Sequence, residues 1–388
     1  MLRVAHTITR LAGGPSYRTV MLAQHMNNEE VTSWVFYGSR DKWDPQNSSY
    51  LEDALPVPSV YIPQMKRNIY PHLDLIALWK MVRELRKFNP HVIHTHESKD
   101  GLLARMAGMI LGTPAILRTY HGLVYYDNFF GPKTALIRPL FLNLERLTNH
   151  FTDRVVSIGA SLEPHITDLF RLTVPKKVIT IPNPFLLEPF LKTRKRYFLR
   201  QELNLPADAV ILTVVANFQP PKDHPNVIDA FAHLMRLEPG TPWHLCLVGN
   251  GPLLDAIKAK VQAAGVSDRV HFLGYRSDTA AIYGSSHLTF LGSSTEGTPG
   301  VVVESLAAGT RVVATDVGAT RDVIRSFGTL VPPRDSLALA RGILQEMKTR
   351  RDMTAIRREI SSIHDVTSVA EQTLALYRQI LREKGKLP

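Results

Sequence analysis

Short β-like runs alternate with longer amphipathic stretches along the whole chain, and this alternation restricts the fold more than any other feature. The candidate strands are Leu2–His6, Val31–Tyr37, Val92–Thr95, Ala115–Thr119, Val155–Ile158, Val178–Ile181, Ala209–Val215, Trp243–Val248, Val270–Phe272, Leu288–Leu291 and Val312–Thr315. Helical periodicity is found at Tyr17–His25, Leu73–Phe88, Gly101–Leu111, Thr134–Thr148, Asn226–Leu237 and Leu253–Ala264. Such alternation is typical of a parallel sheet covered by helices, so we expect an α/β fold of doubly wound units.

The length of the chain indicates two such units. At 388 residues it exceeds the size at which one hydrophobic core stops growing. A second series of strands and helices begins after the segment Phe185–Leu203, and Val369–Glu383 has the pattern of one long closing helix. We therefore expect one domain at 1–185, a second at 186–368, and a terminal helix at 369–388.

Composition is that of an ordinary globular protein, and it excludes several classes. No apolar run is long enough to span a membrane, and polar residues interrupt the first segment too early for a signal peptide. The single cysteine, Cys246, excludes an intramolecular disulfide framework and favours a reducing compartment, so we expect a cytoplasmic protein. The net charge of +11 is spread over both halves without a nucleic-acid-binding signature, so nucleic acid is not an expected partner.

Two glutamates frame the most informative segment, which runs from Ser294 to Gly309. Thr298 is predicted to cap a helix whose first residue is Pro299, and Gly309 is predicted to close it. Free N–H groups at a helix start attract phosphate, while Glu296 and Glu304 supply acceptors for hydroxyls. This combination suits a sugar nucleotide, although two glutamates in isolation are more often solvated side chains.

The residues around these glutamates carry a specific resemblance. Glu296-Gly-Thr-Pro, Glu304-Ser-Leu-Ala-Ala-Gly and Val313-Ala-Thr-Asp-Val-Gly resemble the donor-site signature of family-four retaining glycosyltransferases. The resemblance implies the GT-B architecture, in which two Rossmann-like domains face a cleft and a C-terminal helix crosses back to the first domain. It also implies that Glu296 contacts the transferred sugar and that Glu304 binds the ribose hydroxyls.

The segment after the strand Ala209–Val215 matches this family in part. Family members have an arginine and, five positions later, a lysine, which neutralise the departing diphosphate. Lys222 matches the lysine, but Asn217 stands where the arginine is expected. Because asparagine offers only neutral hydrogen bonds in place of a bidentate cation, we expect weaker diphosphate binding there or another cation nearby.

Further positions extend the resemblance over most of the chain. Gly13-Gly14 follows the first strand, where the family has a loop facing the donor phosphates, and His121 matches a histidine near the transferred sugar. The implied donor-binding set is Gly13, Gly14, Asn217, Lys222, Tyr275, Glu296, Gly297, Thr298, Pro299, Gly300 and Glu304, with His121, Lys222 and Glu296 as catalytic residues. His94 and His96 share one strand face and could hold a metal, but no third ligand is evident, so structural or acceptor-side roles are favoured.

The resemblance is greatest to bacterial transferases that build surface polysaccharides. It implies a retaining enzyme, without a metal or other cofactor, that moves a sugar from a nucleotide-sugar donor, expected to be a UDP-sugar, to a glycan or lipid-linked saccharide. A sugar-nucleotide epimerase of the same fold and a non-catalytic basic interaction protein remain alternatives. Cations and apolar residues at Met65–Pro71 and Leu73–Phe88 suit either an anionic membrane surface or an ordinary helix covering the sheet. We expect peripheral attachment to the cytosolic face of the membrane.

Overall fold

A computed structural model of the protein describes residues 1–40, 55–122, 138–194 and 198–388. The chain divides into two units. Unit 1 comprises Met1–Pro184 and Val366–Pro388, and unit 2 comprises Phe185–Asp365. The sequence had predicted boundaries after residues 185 and 368. In the described ranges no helix is both long and apolar enough to cross a membrane.

Unit 1 is built on a parallel sheet with seven described strands. They are β1 (Leu2–Ile8), β2 (Val31–Gly38), β3 (Ser59–Ile62), β4 (Val92–Thr95), β5 (Ala115–Tyr120), β6 (Arg154–Ser157) and β7 (Val178–Thr180). Their order is β3-β2-β1-β4-β5-β6-β7, so the direction of winding reverses between β1 and β4. The loops that follow β1 and β4 therefore diverge at this point and leave a crevice at the carboxyl edge, where such folds bind ligands.

The helices of the first segment cover this sheet. They are α1 (Gly13–Met26), α2 (Pro71–Phe88), α3 (Ser98–Leu111) and α4 (Arg138–His150). Helix α2 begins with Pro71, whose missing N–H is no loss at that position, and ends at Asn89 in the left-handed conformation. The predicted helix Thr134–Thr148 lies partly outside the described residues, and its described part belongs to α4.

Unit 2 repeats the plan. Its strands are β8 (Val210–Val215), β9 (Trp243–Val248), β10 (Val270–Gly274), β11 (Leu288–Leu291), β12 (Arg311–Thr315) and β13 (Thr329–Val331), in the order β10-β9-β8-β11-β12-β13. Its helices are α5 (Glu188–Leu191), α6 (Phe198–Glu202), α7 (His224–Leu237), α8 (Leu254–Ala263), α9 (Thr279–Ser285), α10 (Gly300–Ala307), α11 (Thr320–Ile324), α12 (Ser336–Lys348) and α13 (Met353–His364). Here the winding reverses between β8 and β11.

The last helix, α14 (Val366–Glu383), belongs to unit 1 although it follows unit 2 in the chain. Val369, Tyr377 and Ile380 are buried in one apolar cluster with residues of β1, β4 and β5. Arg378 pairs with Glu30, and Arg154 pairs with Glu383, at the rim of this contact. The doubly wound α/β fold and the returning C-terminal helix are thus confirmed.

Candidate functional site

In unit 2, Lys222 and Glu296 meet at the point where the winding of the sheet reverses. Lys222 ends a short turn after β8, and Glu296 lies in the loop after β11. The Lys222 Nζ atom is 2.6 Å from Glu296 Oε1. The lysine side chain is 30% exposed and the glutamate 9%, so the pair is accessible mainly from the lysine side. The structure therefore brings together two residues that the resemblance assigns to the diphosphate and to the sugar.

The loop that carries Glu296 is fixed by contacts on three sides. Ser293 Oγ donates to Glu296 Oε1 at 2.7 Å, and the Ser294 amide donates to the Pro221 carbonyl at 2.8 Å. Gly318 adopts φ +56°, and a Cβ there would lie 1.8 Å from the Glu296 carbonyl oxygen. Only glycine fits at this position, because both the backbone conformation and the close approach exclude a side chain. The Glu296 carboxylate is accordingly held in place before any ligand binds.

The helix of the glutamate motif begins later than the sequence suggests. Pro299 is its N-cap, with ψ 103°, and its carbonyl accepts from the Val302 amide, so Gly300 is the first helical residue. The prediction that Thr298 caps the helix and that Pro299 is its first residue is wrong; Thr298 is instead buried beside Gly297 in the preceding loop. The predicted closure is confirmed, because Gly309 has φ +82° and its amide donates to the Leu306 carbonyl.

Glu304 projects from the second turn of α10 and has a partner that the sequence did not indicate. The hydroxyl of Tyr283, on α9, donates to Glu304 Oε2 at 3.1 Å. Tyr283 is fully buried, and burial, with the nearby Glu304 charge, raises the pKa of its hydroxyl well above the usual value. The tyrosine therefore stays a neutral donor that orients the carboxylate.

Two further predicted residues lie at the carboxyl edge of the unit 2 sheet without side-chain hydrogen bonds to the glutamates. Asn217 is exposed after β8, and Tyr275 is 63% exposed after β10, directly following Gly274 in the left-handed conformation. Both side chains are reachable by a ligand.

In unit 1, Gly13 and Gly14 open helix α1 and are both exposed. Gly13 has φ +80°, a conformation that residues with side chains rarely adopt. The Arg18 guanidinium lies 3.8 Å from the position that a Cβ on Gly14 would occupy. Amide groups at a helix start beside a cation favour an anion, and the assignment of this loop to the donor phosphates stays a prediction.

His121, which follows β5, is the last of three histidines whose rings are hydrogen-bonded in a row, His6, His96 and His121. Its Nδ1 atom is 2.8 Å from Asn183 Oδ1 and its Nε2 atom is 3.1 Å from His96 Nδ1. His96 Nε2 is in turn 3.2 Å from Nδ1 of His6, a residue of β1 that sequence reasoning missed. Burial lowers the pKa of His6 and of His121 to about 3 and that of His96 well below its usual value. All three rings are therefore neutral at physiological pH. Both ring nitrogens of His121 are engaged, which fixes the orientation of its ring.

His6 is the third potential metal ligand beside His94 and His96, which was not evident from the sequence. One ring nitrogen of each of the three histidines lies within 4.8 Å of the others. The hydrogen bonds favour a structural role for these three residues. His94 Nδ1 contacts the Tyr377 hydroxyl at 2.5 Å, and its Nε2 contacts Thr119 Oγ1 at 2.6 Å. A metal would have to displace one of these partners, because a ring with both nitrogens engaged has no lone pair to offer.

Family comparisons agree with the geometry of both units. Residues 12–188 match the model described as "Glycosyltransferase Family 4", and residues 195–360 match "Glycosyl transferases group 1". The chain is a GT-B glycosyltransferase. The two matches adjoin near the division between unit 1 and unit 2, so each unit of this glycosyltransferase corresponds to one family model.

Individual relatives are similar over most of the glycosyltransferase. The UDP-Gal:alpha-D-GlcNAc-diphosphoundecaprenol alpha-1,3-galactosyltransferase of Escherichia coli is 25% identical, over 72% of this chain and 71% of the relative. The N-acetyl-alpha-D-glucosaminyl L-malate synthase of Bacillus anthracis is 27% identical, over 85% of this chain and 87% of the relative. Among solved structures, Anabaena HepE in complex with UDP superposes with a TM-score of 0.77 at 18% identity, over 97% of this chain and 99% of that one. Sucrose-phosphate synthase from Thermosynechococcus elongatus superposes with a TM-score of 0.75 at 22% identity, over 99% of this chain and 100% of that one.

Proposed function

We propose that this glycosyltransferase moves a sugar from a UDP-sugar to a hydroxyl of a glycan or lipid-linked saccharide during the synthesis of cell-surface polysaccharide. The Lys222–Glu296 pair carries the proposal, because it sets a phosphate-binding cation beside a hydroxyl-binding carboxylate at the ligand edge of the unit 2 sheet. The names of similar proteins support the substrate classes. HepE structures contain UDP and UDP-glucose, and the Escherichia coli relative is named for UDP-Gal and a diphosphoundecaprenol acceptor.

Each site residue has a defined part in this reaction. Glu304, oriented by Tyr283, accepts hydrogen bonds from the ribose hydroxyls, and Glu296 accepts from hydroxyls of the transferred sugar. Lys222 has three N–H donors and uses one on Glu296, so it can also donate to the leaving diphosphate. Charge stabilisation of this kind is often the largest single contribution to catalysis.

We propose a retaining reaction without a metal. The acceptor hydroxyl attacks the anomeric carbon on the face from which the diphosphate departs, and its proton passes to the departing phosphate oxygen. The C–O bond to the diphosphate breaks through an oxocarbenium-like transition state, while Lys222 and the α10 helix start stabilise the released charge. In unit 1, we assign Gly13 and Gly14 to the donor phosphates and His121 to the transferred sugar, as the resemblance implies.

A panel of nucleotide sugars, assayed for slow hydrolysis and thermal stabilisation, tests the donor assignment. Release of UDP and free sugar from one UDP-sugar, with the α-anomer as the first product, would support it. A product epimeric at C2 would favour the epimerase, and failure of UDP to bind in calorimetry would favour a non-catalytic protein. Lys222, Glu296 and Glu304 are all present at the carboxyl edge of the unit 2 sheet, which argues against a non-catalytic protein.

The exposed surface of α2 supports attachment to an anionic membrane. Ala77 and Met81 face the sheet, yet Leu75 and Trp79 are 69% and 60% exposed. The Arg83 guanidinium lies 5.1 Å from the centre of the Trp79 ring, so cations border the apolar side chains. Each cation near an anionic bilayer contributes about 1 kcal/mol to binding. Co-sedimentation with phosphatidylglycerol vesicles should occur at low salt and be lost at high salt; absence of binding at low salt would favour a soluble acceptor.

A further inference from the structure

A continuous series of side-chain hydrogen bonds links four strands of the unit 1 sheet. In the histidine row His6, His96 and His121, the bonded ring nitrogens are 3.2 Å and 3.1 Å apart. His121 Nδ1 is in turn 2.8 Å from Asn183 Oδ1. His6 lies on β1, and the other three residues follow β4, β5 and β7. The series therefore has an amide at one end and a buried imidazole at the other.

The three rings are aligned for directional hydrogen bonds. Neighbouring ring planes are inclined by 26° between His6 and His96 and by 27° between His96 and His121, and the ring centres are 5.4 Å and 5.3 Å apart. Each of these separations exceeds the corresponding N···N distance by about twice the radius of an imidazole ring. The rings therefore lie edge to edge, so that an N–H of one ring is directed at the lone pair of the next.

These contacts determine which nitrogen of each ring carries the proton. Burial lowers the pKa of all three histidines, and a neutral imidazole has one N–H and one lone pair. The Asn183 carbonyl oxygen can only accept, so it takes the Nδ1–H of His121. His121 Nε2 is then the acceptor for the Nδ1–H of His96, and His96 Nε2 is the acceptor for the Nδ1–H of His6. Each ring is thereby held in the tautomer that is protonated at Nδ1.

The opposite end of the row agrees with this order. His6 is fully buried, and its Nε2 atom has no hydrogen-bond partner in the part of the chain that the structure describes. If the protons were on the Nε2 atoms instead, this atom would be a buried N–H without an acceptor. Folded proteins avoid such a donor more strictly than an acceptor without a donor. The order that begins at Asn183 leaves only a lone pair at His6 Nε2.

The local sequence restricts the segment that carries Asn183. The residue is 1% exposed and lies between Pro182 and Pro184. The ring of Pro182 fixes its own φ, and the ring of Pro184 disfavours the helical conformation for Asn183. Little backbone freedom therefore remains, and the amide is held against His121 before any ligand binds.

We propose that Asn183 is a positioning residue for sugar transfer, which holds His121 in the Nδ1-protonated tautomer and, through His96, sets the tautomer of the whole row. The inference rests on the proposed function, in which His121 contacts the transferred sugar. It adds a direction to that contact. The Nε2 atom of His121 is an acceptor, so a sugar hydroxyl that binds it has to donate.

Nitrogen-15 NMR of protein labelled in its histidines tests the tautomer directly, because two-bond correlations separate a protonated ring nitrogen from one with a lone pair. The signals are assigned by their loss in His6→Gln, His96→Phe and His121→Gln. In the native chain, His121 should be protonated at Nδ1. In Asn183→Ala its proton should move to Nε2, which is the more stable position in a free histidine side chain. A native His121 protonated at Nε2, or an unchanged tautomer in Asn183→Ala, would overturn the proposal.

Two further variants test the acceptor oxygen and the direction of the row. Asn183→Asp keeps an oxygen acceptor at the same position, so at about pH 8 His121 should retain the native tautomer. His96→Phe removes both nitrogens between the outer rings, and it should release His6 while the tautomer of His121 stays unchanged. A shift of the His121 proton to Nε2 in either variant would show that the oxygen of Asn183 does not set the row.

Turnover and UDP binding connect the tautomer to the reaction. Asn183→Ala should lower kcat about tenfold, as expected for the loss of one well-placed hydrogen bond, and leave UDP affinity in calorimetry unchanged. Asn27 provides the matched control, because its amide bonds backbone groups of Ala23 and Ser33 at the end of α1. Asn27→Ala should lower thermal stability and keep both kcat and the tautomers.

The kinetic outcomes separate this inference from the proposed function. Equal losses of kcat in Asn27→Ala and Asn183→Ala, or a loss of less than about twofold in Asn183→Ala, would refute the positioning role. Failure of the native protein to turn over any nucleotide sugar would refute the proposed function instead, and the tautomers measured by NMR would still stand.

Discussion

Replacement of Lys222 by alanine tests the candidate donor site most directly. The substitution removes a cation and also one of the two side chains that the structure places on Glu296, the other being Ser293. The first loss raises the energy of the transition state, in which charge develops on the diphosphate. The second releases the carboxylate that we assign to the sugar.

The expected magnitudes differ strongly between activity and stability. Loss of one preorganised donor to developing charge costs about 3–4 kcal/mol, or about 10²–10³ in turnover. The ion pair is partly solvated on the lysine side, so its loss should cost at most about 1 kcal/mol of unfolding free energy. Lys222→Ala should therefore fold normally and turn over slowly.

The assay is release of UDP from the active nucleotide sugar, measured beside thermal unfolding. Lys260 provides the control, because it pairs with Asp229 at 2.7 Å and is 33% exposed, but lies on α8, away from the predicted donor residues. Lys260→Ala should keep full turnover. A fall of less than about threefold in Lys222→Ala would refute the role of Lys222 in charge stabilisation.

A double-mutant cycle separates the two effects of Lys222. If the lysine also positions Glu296, the loss in Lys222→Ala/Glu296→Ala should be smaller than the combined single losses by about 1 kcal/mol or more. Strict additivity would show that the two residues act independently, despite the 2.6 Å separation of their charged atoms.

Three further predictions concern nucleotide binding, metal and acid. Glu304→Ala should weaken UDP binding in calorimetry about tenfold, whereas Glu296→Ala should spare UDP and impair only the sugar-bearing donor; the reverse order would contradict their assigned roles. Excess EDTA should leave turnover unchanged, and a complete loss restored by magnesium or manganese would contradict the metal-free mechanism. Burial lowers the pKa of His6 and of His121 to about 3. Below about pH 6.5 these two histidines therefore bind protons in the unfolded chain but not in the folded one. The free energy of unfolding should fall as the pH decreases from about 6.5 towards 3. The raised pKa of Glu97 offsets part of this loss; thermal unfolding of His6→Gln should show a smaller decrease between pH 7 and 5, and an equal decrease would refute the linkage.

Local sequence patterns predict the central strands well. Val92–Thr95, Trp243–Val248 and Leu288–Leu291 are confirmed at both ends, because each is a short run rich in apolar residues between polar or turn-forming residues. The strands Ser59–Ile62 and Thr329–Val331 lie at the sheet edges and were not predicted. Both are short runs that begin with a polar residue, so their sequences do little to separate them from a loop.

Two helices of unit 2 were missed although their sequences carry a start signal. Ser336–Lys348 and Met353–His364 have aspartates at the N-cap, Asp335 and Asp352, that accept from backbone amides and could have been recognised from the sequence. The one-residue error at Pro299 has a different origin. Proline suits both the N-cap and the first helical position in φ, and only its ψ of 103°, set by the surrounding loop, distinguishes them.

The residues of the site were more predictable than their partners. Lys222 and Glu296 are 74 positions apart, and His6 and His96 are 90 apart, yet both pairs are in hydrogen-bond contact. In each pair the two residues lie on or after neighbouring strands at a point where the winding reverses, β8 and β11 in unit 2, β1 and β4 in unit 1. Periodicity identifies a strand but not its neighbour, because strand order is decided by helix packing over the whole sheet. Since ligand sites of doubly wound folds form at such reversals, the contacts that matter most for function are those that depend most on long-range topology.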